Sequence, residues 1–261
     1  MGFETLLLTR NAGIATLTLN RPQALNAFTL TMVRELHQAL LDVEQSAEVR
    51  VIVLKAAGAA FCAGADLKEV AAQQDVPWHL RTLTAAGHQA IAKLKELPQP
   101  VIAAVHGVAA GGGLGLCLAC DLIVAGAGAA FVTAFAKLGL SPDYGATYHL
   151  VRLLGEKKAF ELAAFSPHLS AQEALELGLV NAVVPSEQLE ARVASWAERL
   201  AAGPPLALQR TKRLIQQSLD QGLHAQLEAE SLSVAAGGRS LDFQEGLQAF
   251  LHKRPPRFQG R

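Results

Sequence analysis

Three observations predict an α/β fold with a mainly parallel sheet and a trailing helical block. Short apolar runs alternate with amphipathic stretches through the first half of the chain. Two of those runs lead through small-residue and glycine turns into helix-like segments. From about residue 186 the pattern turns helical, with few strands of its own.

The strand candidates are 3–9, 14–20, 49–55, 101–106 and 122–125. Between the second and third lies an amphipathic helix with Val33, Leu36, Leu40 and Val43 on one face. Thr29 and Thr31 are candidates for its cap. A second helix is expected over 78–97, ended by Pro98-Gln-Pro100. Strands separated by helices imply right-handed crossovers between parallel strands. Beyond them, 186–202 reads as an amphipathic helix, Gly203-Pro-Pro205 breaks it, 206–219 resumes, and 242–251 is the last helix before a Pro-rich tail. The chain divides on this reading into a core, 1–185, and a helical appendage, 186–261.

Composition bounds the function. With 261 residues, 51% of them hydrophobic, the chain can bury a large core and is not disordered. A formal charge of zero and a pI near 7.1 give no field that favours nucleic acid or an acidic membrane. Three cysteines cannot all pair, and Met1-Gly-Phe-Glu4 runs straight into a strand, so a cytoplasmic setting is expected. Cys117 and Cys120 have metal-like spacing, but no second pair or histidine cluster completes a site.

Residues 107–115 read Gly107-Val-Ala-Ala-Gly111-Gly112-Gly113-Leu-Gly115 and follow the 101–105 strand. Glycines at a strand-to-helix junction let the backbone approach a ligand closely. They leave unpaired N–H groups where partial positive charge gathers. Such groups hold a phosphate or the oxygen of a reacting carbonyl. The third glycine of a dinucleotide fingerprint is missing and no Gly-Lys-Ser/Thr follows, which excludes those motifs. No Asp, Glu, Lys or Arg lies between Pro100 and Asp121, yet five glycines and a histidine favour a buried strand and packed helix over a membrane span. A second turn, Phe61-Cys-Ala-Gly64-Ala65-Asp66-Leu67-Lys68, follows the 51–54 strand. Two such turns could each present one N–H to the same carbonyl oxygen, the geometry of an oxyanion hole.

With these two turns, the chain resembles the enoyl-CoA hydratase/isomerase (crotonase) superfamily. Further matching pieces are Leu19-Asn20-Arg21-Pro22 with Leu25-Asn26-Ala27-Phe28, Cys120-Asp121, Lys137-Leu-Gly-Leu-Ser-Pro-Asp143 and Phe250-Leu-His-Lys253-Arg254-Pro255. The resemblance implies a repeated ββα spiral core and a C-terminal helical region that builds homotrimers, often paired as hexamers. It implies an acyl-CoA thioester as substrate, with coenzyme A part of that substrate and no permanently bound cofactor. From the incomplete cysteine spacing and the neutral charge, neither a metal nor a nucleic-acid partner is expected. The N–H groups of Ala65 and Gly112 become the oxyanion donors. Ala63, Asp66, Leu67 and Lys68 line the CoA channel, with Lys253 and Arg254 in the tail as phosphate contacts.

Family hydratases carry two glutamates over the substrate. This chain has Gly115 and Phe135 at the corresponding positions, so simple hydration is not expected. One acid remains, Asp143, expected to open the next helix. There it resembles the single aspartate of 1,2-epoxyphenylacetyl-CoA isomerase-like members and serves as the catalytic proton carrier. A helix cap is the alternative role. His88-Gln89 and the residues after Asp143 also resemble 4-chlorobenzoyl-CoA dehalogenase, in which the aspartate is a nucleophile. Phe135 lacks the donor which that chemistry uses. By the resemblance His88 and Phe135 are substrate-binding candidates, with a surface or packing role the alternative for His88. A double-bond isomerase is thus the leading expectation. A noncanonical hydratase, a dehalogenase-like enzyme and a non-catalytic CoA- or RNA-binding relative stand as alternatives.

Overall fold

The computed structural model describes residues 2–261. β1 (Leu6–Asn11) and β2 (Ile14–Leu19) form an antiparallel hairpin. Its two loop residues, Ala12 and Gly13, both have positive φ, as a tight hairpin loop requires. The first strand therefore runs later than the apolar run 3–9 suggested. The polar Thr9, Arg10 and Asn11 are drawn into it by pairing with β2.

α1 (Leu30–Glu44) starts at Thr29, whose hydroxyl accepts the Met32 N–H at 3.2 Å. It buries Val33, Leu36, Leu40 and Val43, the expected face, together with Met32 and Ala39. β3 (Val51–Ala56) follows, then α2 (Leu67–Ala71) and α3 (Val76–Glu96). The chain continues through β4 (Val101–Val105), β5 (Val108–Ala110), α4 (Gly112–Ala119), β6 (Leu122–Gly126) and β7 (Ala130–Val132). Next come α5 (Ala146–Phe165), β8 (Leu169–Ser170), α6 (Ala171–Glu176) and β9 (Ala182–Val184).

Two sheets result. The larger has the order β1-β2-β3-β4-β6-β9, parallel from β2 onward; the smaller is β5-β7-β8. Successive strands alternate between the sheets, β4 to β5 and β6 to β7, each pair followed by a helix. That is a ββα spiral. The charge-free stretch from residue 100 to 121 is accounted for by β4, β5 and the short, wholly buried α4. Among the described residues no helix is long and apolar enough to cross a membrane. All three cysteines are buried and free, and among the described residues no group of three or more His, Cys, Asp or Glu could hold a metal.

The C-terminal block is α7 (Leu189–Ala201), α8 (Pro205–Gln217), α9 (Leu223–Gly238) and α10 (Leu241–Leu251). α7 packs Leu189, Val193 and Ala197 against Val53, Ile102, Ala104 and Val124 of the larger sheet, so it covers this chain's own core. α9 buries no residue; Leu223, Leu232 and Val234 are each at least 63% exposed, and Phe250 of α10 is 81% exposed. The apolar faces of these last helices have no cover within one chain.

Candidate active site

The two glycine turns lie side by side. Cys62 runs parallel to β5: its N–H donates to the Val108 carbonyl and its carbonyl accepts the Ala110 N–H, at 3.0 and 2.9 Å. Ala65 and Gly112 sit just beyond this pairing, on adjacent turns. On the first turn Ala63 N–H donates to Leu25, and Asp66 N–H donates to Phe28. Among the described residues the Ala65 N–H finds no backbone acceptor. On the second turn Gly111, with φ +53, donates to Val132, and Gly115 donates to Gly111. Gly112 is the first residue of α4, where no intrahelical acceptor exists. Two backbone donors are left free, the second reinforced by the positive end of α4.

The first turn is pinned by charge. Asp66 caps α2, its Oδ1 accepting the N–H groups of Lys68 and Glu69 at 3.1 and 3.2 Å. Its Oδ2 pairs with Arg21 at 2.9 Å. Burial would raise the Asp66 carboxyl, but Arg21 and the two N–H donors hold it below the usual carboxylate value. Both Asp66 oxygens are thus engaged in holding the turn rather than offered to a ligand. Glu69 is engaged as well, accepting the Leu30 N–H at 3.0 Å. Ala63, Leu67 and Lys68 lie on the same turn, Leu67 and Lys68 exposed.

Asp143 does not cap α5. The helix begins at Ala146, and the residue before it, Gly145, makes no side-chain cap. Asp143 instead opens a tight turn: its carbonyl accepts the Ala146 N–H at 2.9 Å, and Tyr144 and Gly145 between them have φ of +51 and +72. Such a turn suits glycine or asparagine; for tyrosine it is strained by about 1–2 kcal/mol. The turn carries the carboxylate inward. Asp143 Oδ1 is buried without a hydrogen-bond partner. Burial pushes the carboxyl up to about 6 from its ordinary 3.8, offset in part by the residue's own N–H.

Tyr144, which the sequence did not single out, walls the site. Its ring stacks on Phe28 with centroids 5.1 Å apart and planes 8° from parallel. It fills a slot that only glycines leave open. A Cβ at Gly87 would lie 2.2 Å from the Tyr144 hydroxyl, and one at Gly115 would lie 2.6 Å from the Tyr144 carbonyl. Gly115 thus lacks a carboxylate and has no room for one. Phe135 is buried, its ring edge 3.8 Å from where a Cβ of Gly111 would stand. It presents carbon to the site. His88, exposed on α3, accepts the Tyr144 N–H at Nε2, 3.1 Å away.

The tail residues make contacts of their own. Arg254 pairs with Glu245 at 2.6 Å, and Lys253 is exposed with φ +53. Among the described residues no hydrogen bond joins either one to the first turn.

Comparison with known proteins gives these features a setting. The sequence model of the enoyl-CoA hydratase/isomerase family matches residues 9–261. A probable enoyl-CoA hydratase of Rhodobacter capsulatus is 39% identical over 262 residues, covering 100% of both chains. The 1,2-epoxyphenylacetyl-CoA isomerase of Escherichia coli is 39% identical over 260 residues, covering 99% of both. Among solved structures, an enoyl-CoA hydratase from Bacillus anthracis superposes with a TM-score of 0.95 at 35% identity, covering 99% of this chain and 100% of that one. A family model matched over residues 9–261 and relatives 39% identical over essentially the whole length of both chains show that this chain belongs to the enoyl-CoA hydratase/isomerase family.

Proposed function

We propose that this chain is an acyl-CoA double-bond isomerase in which Asp143 carries the proton and the N–H groups of Ala65 and Gly112 hold the enolate oxygen. Family membership makes the chain an enzyme acting on acyl-CoA thioesters. The choice of isomerisation over hydration rests on one observation. Asp143 brings a carboxylate whose Oδ1 is buried and partnerless, while Gly115, packed against the Tyr144 backbone, has no room for a side chain and Phe135 carries no titratable group.

Hydration needs a group that activates water and a group that protonates carbon. Gly115 and Phe135 supply neither. A double-bond shift needs one base used twice. Asp143 takes the proton from one carbon, and the C–H electron pair moves into a dienolate. The oxygen of that dienolate gathers charge between the two N–H donors. Asp143 then returns the proton at another carbon, and the new double bond is set. Each well-placed donor contributes about 3–4 kcal/mol to the charged intermediate. A carboxyl held near pH 6 suits reversible transfer close to neutrality.

The CoA portion runs along Ala63, Asp66, Leu67 and Lys68, with Lys253 as a phosphate contact. Asp66 acts there by holding the turn. Homotrimers or hexamers form through the uncovered apolar faces of α9 and α10; a stable monomer in light scattering at micromolar concentration would exclude this.

A panel of enoyl-, dienoyl- and aryl-CoA thioesters, followed by mass and absorbance, tests the assignment. The expected result is a changed absorbance at constant mass with an enoyl- or dienoyl-CoA, and very low hydration of crotonyl-CoA. Efficient addition of water would overturn it in favour of a noncanonical hydratase. Halide release from a halobenzoyl-CoA would make Asp143 a nucleophile.

A further inference from the structure

We propose that His88 is a positioning residue for the Asp143 carboxylate, acting through the backbone of Tyr144. The inference rests on the reading of Asp143 as the proton carrier. Asp143 sits at the mouth of a turn whose next residue is a tyrosine at φ +51. A turn of that kind holds its shape only if the surroundings over-determine it. Two features do so. The Tyr144 ring is locked between Phe28 and the glycine slot, and the Tyr144 N–H is held by His88 Nε2 at 3.1 Å. The Asp143 carbonyl already accepts the Ala146 N–H, so the peptide between Asp143 and Tyr144 is fixed at its oxygen by α5 and at its nitrogen by α3. Rotation of that peptide would swing the carboxylate. His88 is the only one of these restraints made by a single exposed side chain.

The bond dictates the state of the ring. A backbone N–H can only donate, so Nε2 must be bare and the proton must sit on Nδ1. A protonated ring would point a second donor at the amide and release it. The surroundings oppose protonation. His88 borders a cavity of about 630 Å³ whose charged and titratable walls are Lys95 of α3, Tyr148 and His149 of α5, Arg213 of α8, and Asp220. Asp220 is paired with Arg152 at 3.0 Å. Partial burial holds the His88 pKa below the ordinary histidine value. The remaining neighbours are the Tyr144 ring, edge-on with centroids 5.7 Å apart, and Asp143 one residue beyond the hydrogen bond.

Two variants separate positioning from packing. His88→Gln keeps an acceptor that can reach the amide; His88→Ala removes it. His88→Ala should lower kcat by about 10- to 100-fold, the scale of a catalytic group displaced by a fraction of an ångström to one ångström, with KM for the acyl-CoA unchanged. His88→Gln should recover most of the loss. Hydrogen exchange at the Tyr144 amide, measured without substrate, should quicken in His88→Ala and stay slow in His88→Gln. Nitrogen-15 spectra of the parent should show His88 protonated at Nδ1 alone. Equal kcat in all three proteins, or equal loss in both variants, overturns the inference. So does a ring protonated at Nε2. Failure of the underlying reading is recognised separately: it is an Asp143→Asn enzyme that isomerises at the parent rate, an outcome the amide-exchange and tautomer measurements do not depend on.

Discussion

Asp121 and Asp143 are the same side chain in two opposite settings. Asp121 stands just before β6. Its Oδ2 accepts the Val101 N–H at 2.9 Å and meets Lys212 Nζ at 2.7 Å. Lys212, 8% exposed and reaching in from α8, also donates to the carbonyls of Leu94 and Gln99. One carboxylate thus fastens the C-terminal block to β4 and to the end of α3. Asp143 ties nothing together with its side chain. Its Oδ1 is buried with no partner at all, and its carboxyl is raised for that reason. A satisfied buried charge adds cohesion and is chemically inert. An unsatisfied one destabilises the fold, and a carboxyl raised in this way is a candidate for proton transfer.

The largest effect that separates the two is on rate. Asp143→Asn keeps the shape but cannot accept a proton, and turnover of any accepted substrate should fall by about 10²–10⁴-fold. Asp121→Asn should leave the turnover of correctly folded protein unchanged. In the parent, kcat/KM should rise with pH and level off above about 6, because the base works only when ionised. Parent-like turnover in Asp143→Asn would remove the distinction between the two carboxylates.

The next effect is on stability and runs the other way round. Lys212→Met leaves Asp121 without its cation. Removing one member of a buried pair costs about 3–5 kcal/mol; the 20% exposure of Asp121 brings the expectation down to about 2–4 kcal/mol. Burial lowers the Lys212 pKa and Asp121 opposes that, so the lysine depends on its partner as well. Denaturant midpoints measure the loss. Asp121→Asn combined with Lys212→Met should be less destabilised than the sum of the single changes. Strict additivity would show that the pair is not coupled.

How far the sequence reveals such differences depends on the range of the chemistry involved. The α1 face of Val33, Leu36, Leu40 and Val43 and its Thr29 cap are local patterns, and both stand in the fold. The two turns were legible because a free N–H next to a close backbone approach demands glycine or alanine at fixed places. Tyr144 was not legible. Its slot is cut by Gly87 of α3 and Gly115 of α4, which approach only in three dimensions. The position of Asp143 was misjudged for a related reason. Pro142 followed by an acid reads as a helix start, but a turn with two residues at positive φ intervenes, and nothing local announces a tyrosine in that conformation. The C-terminal block read as amphipathic helices broken at Gly203-Pro-Pro205. Periodicity identifies an apolar face but not what covers it, and α7 lies on its own sheet while α9 has no cover in the chain.

The smallest effect tests the physical basis of the role proposed for Asp143. Its folded pKa, about 6, lies above the ordinary 3.8 that the unfolded chain would show. Below pH 3.8 the carboxyl is protonated in both states and burial carries no ionic penalty. Between 3.8 and 6 the unfolded state ionises first, so the native state binds more protons and loses stability as pH rises. Above 6 both are ionised and the penalty is constant. Asparagine has no such term. Asp143→Asn should therefore be more stable than the parent by roughly 1–2 kcal/mol at pH 7, less than the full linkage value because the carboxylate is not wholly cut off from solvent. The gain should shrink toward zero as pH falls to 4. Thermal or urea melts of both proteins at pH 4 and pH 7 decide it. A gain of equal size at both values would assign the stabilisation to packing of the amide. The raised carboxyl, and with it the physical basis for Asp143 as a base near neutrality, would then have to be given up.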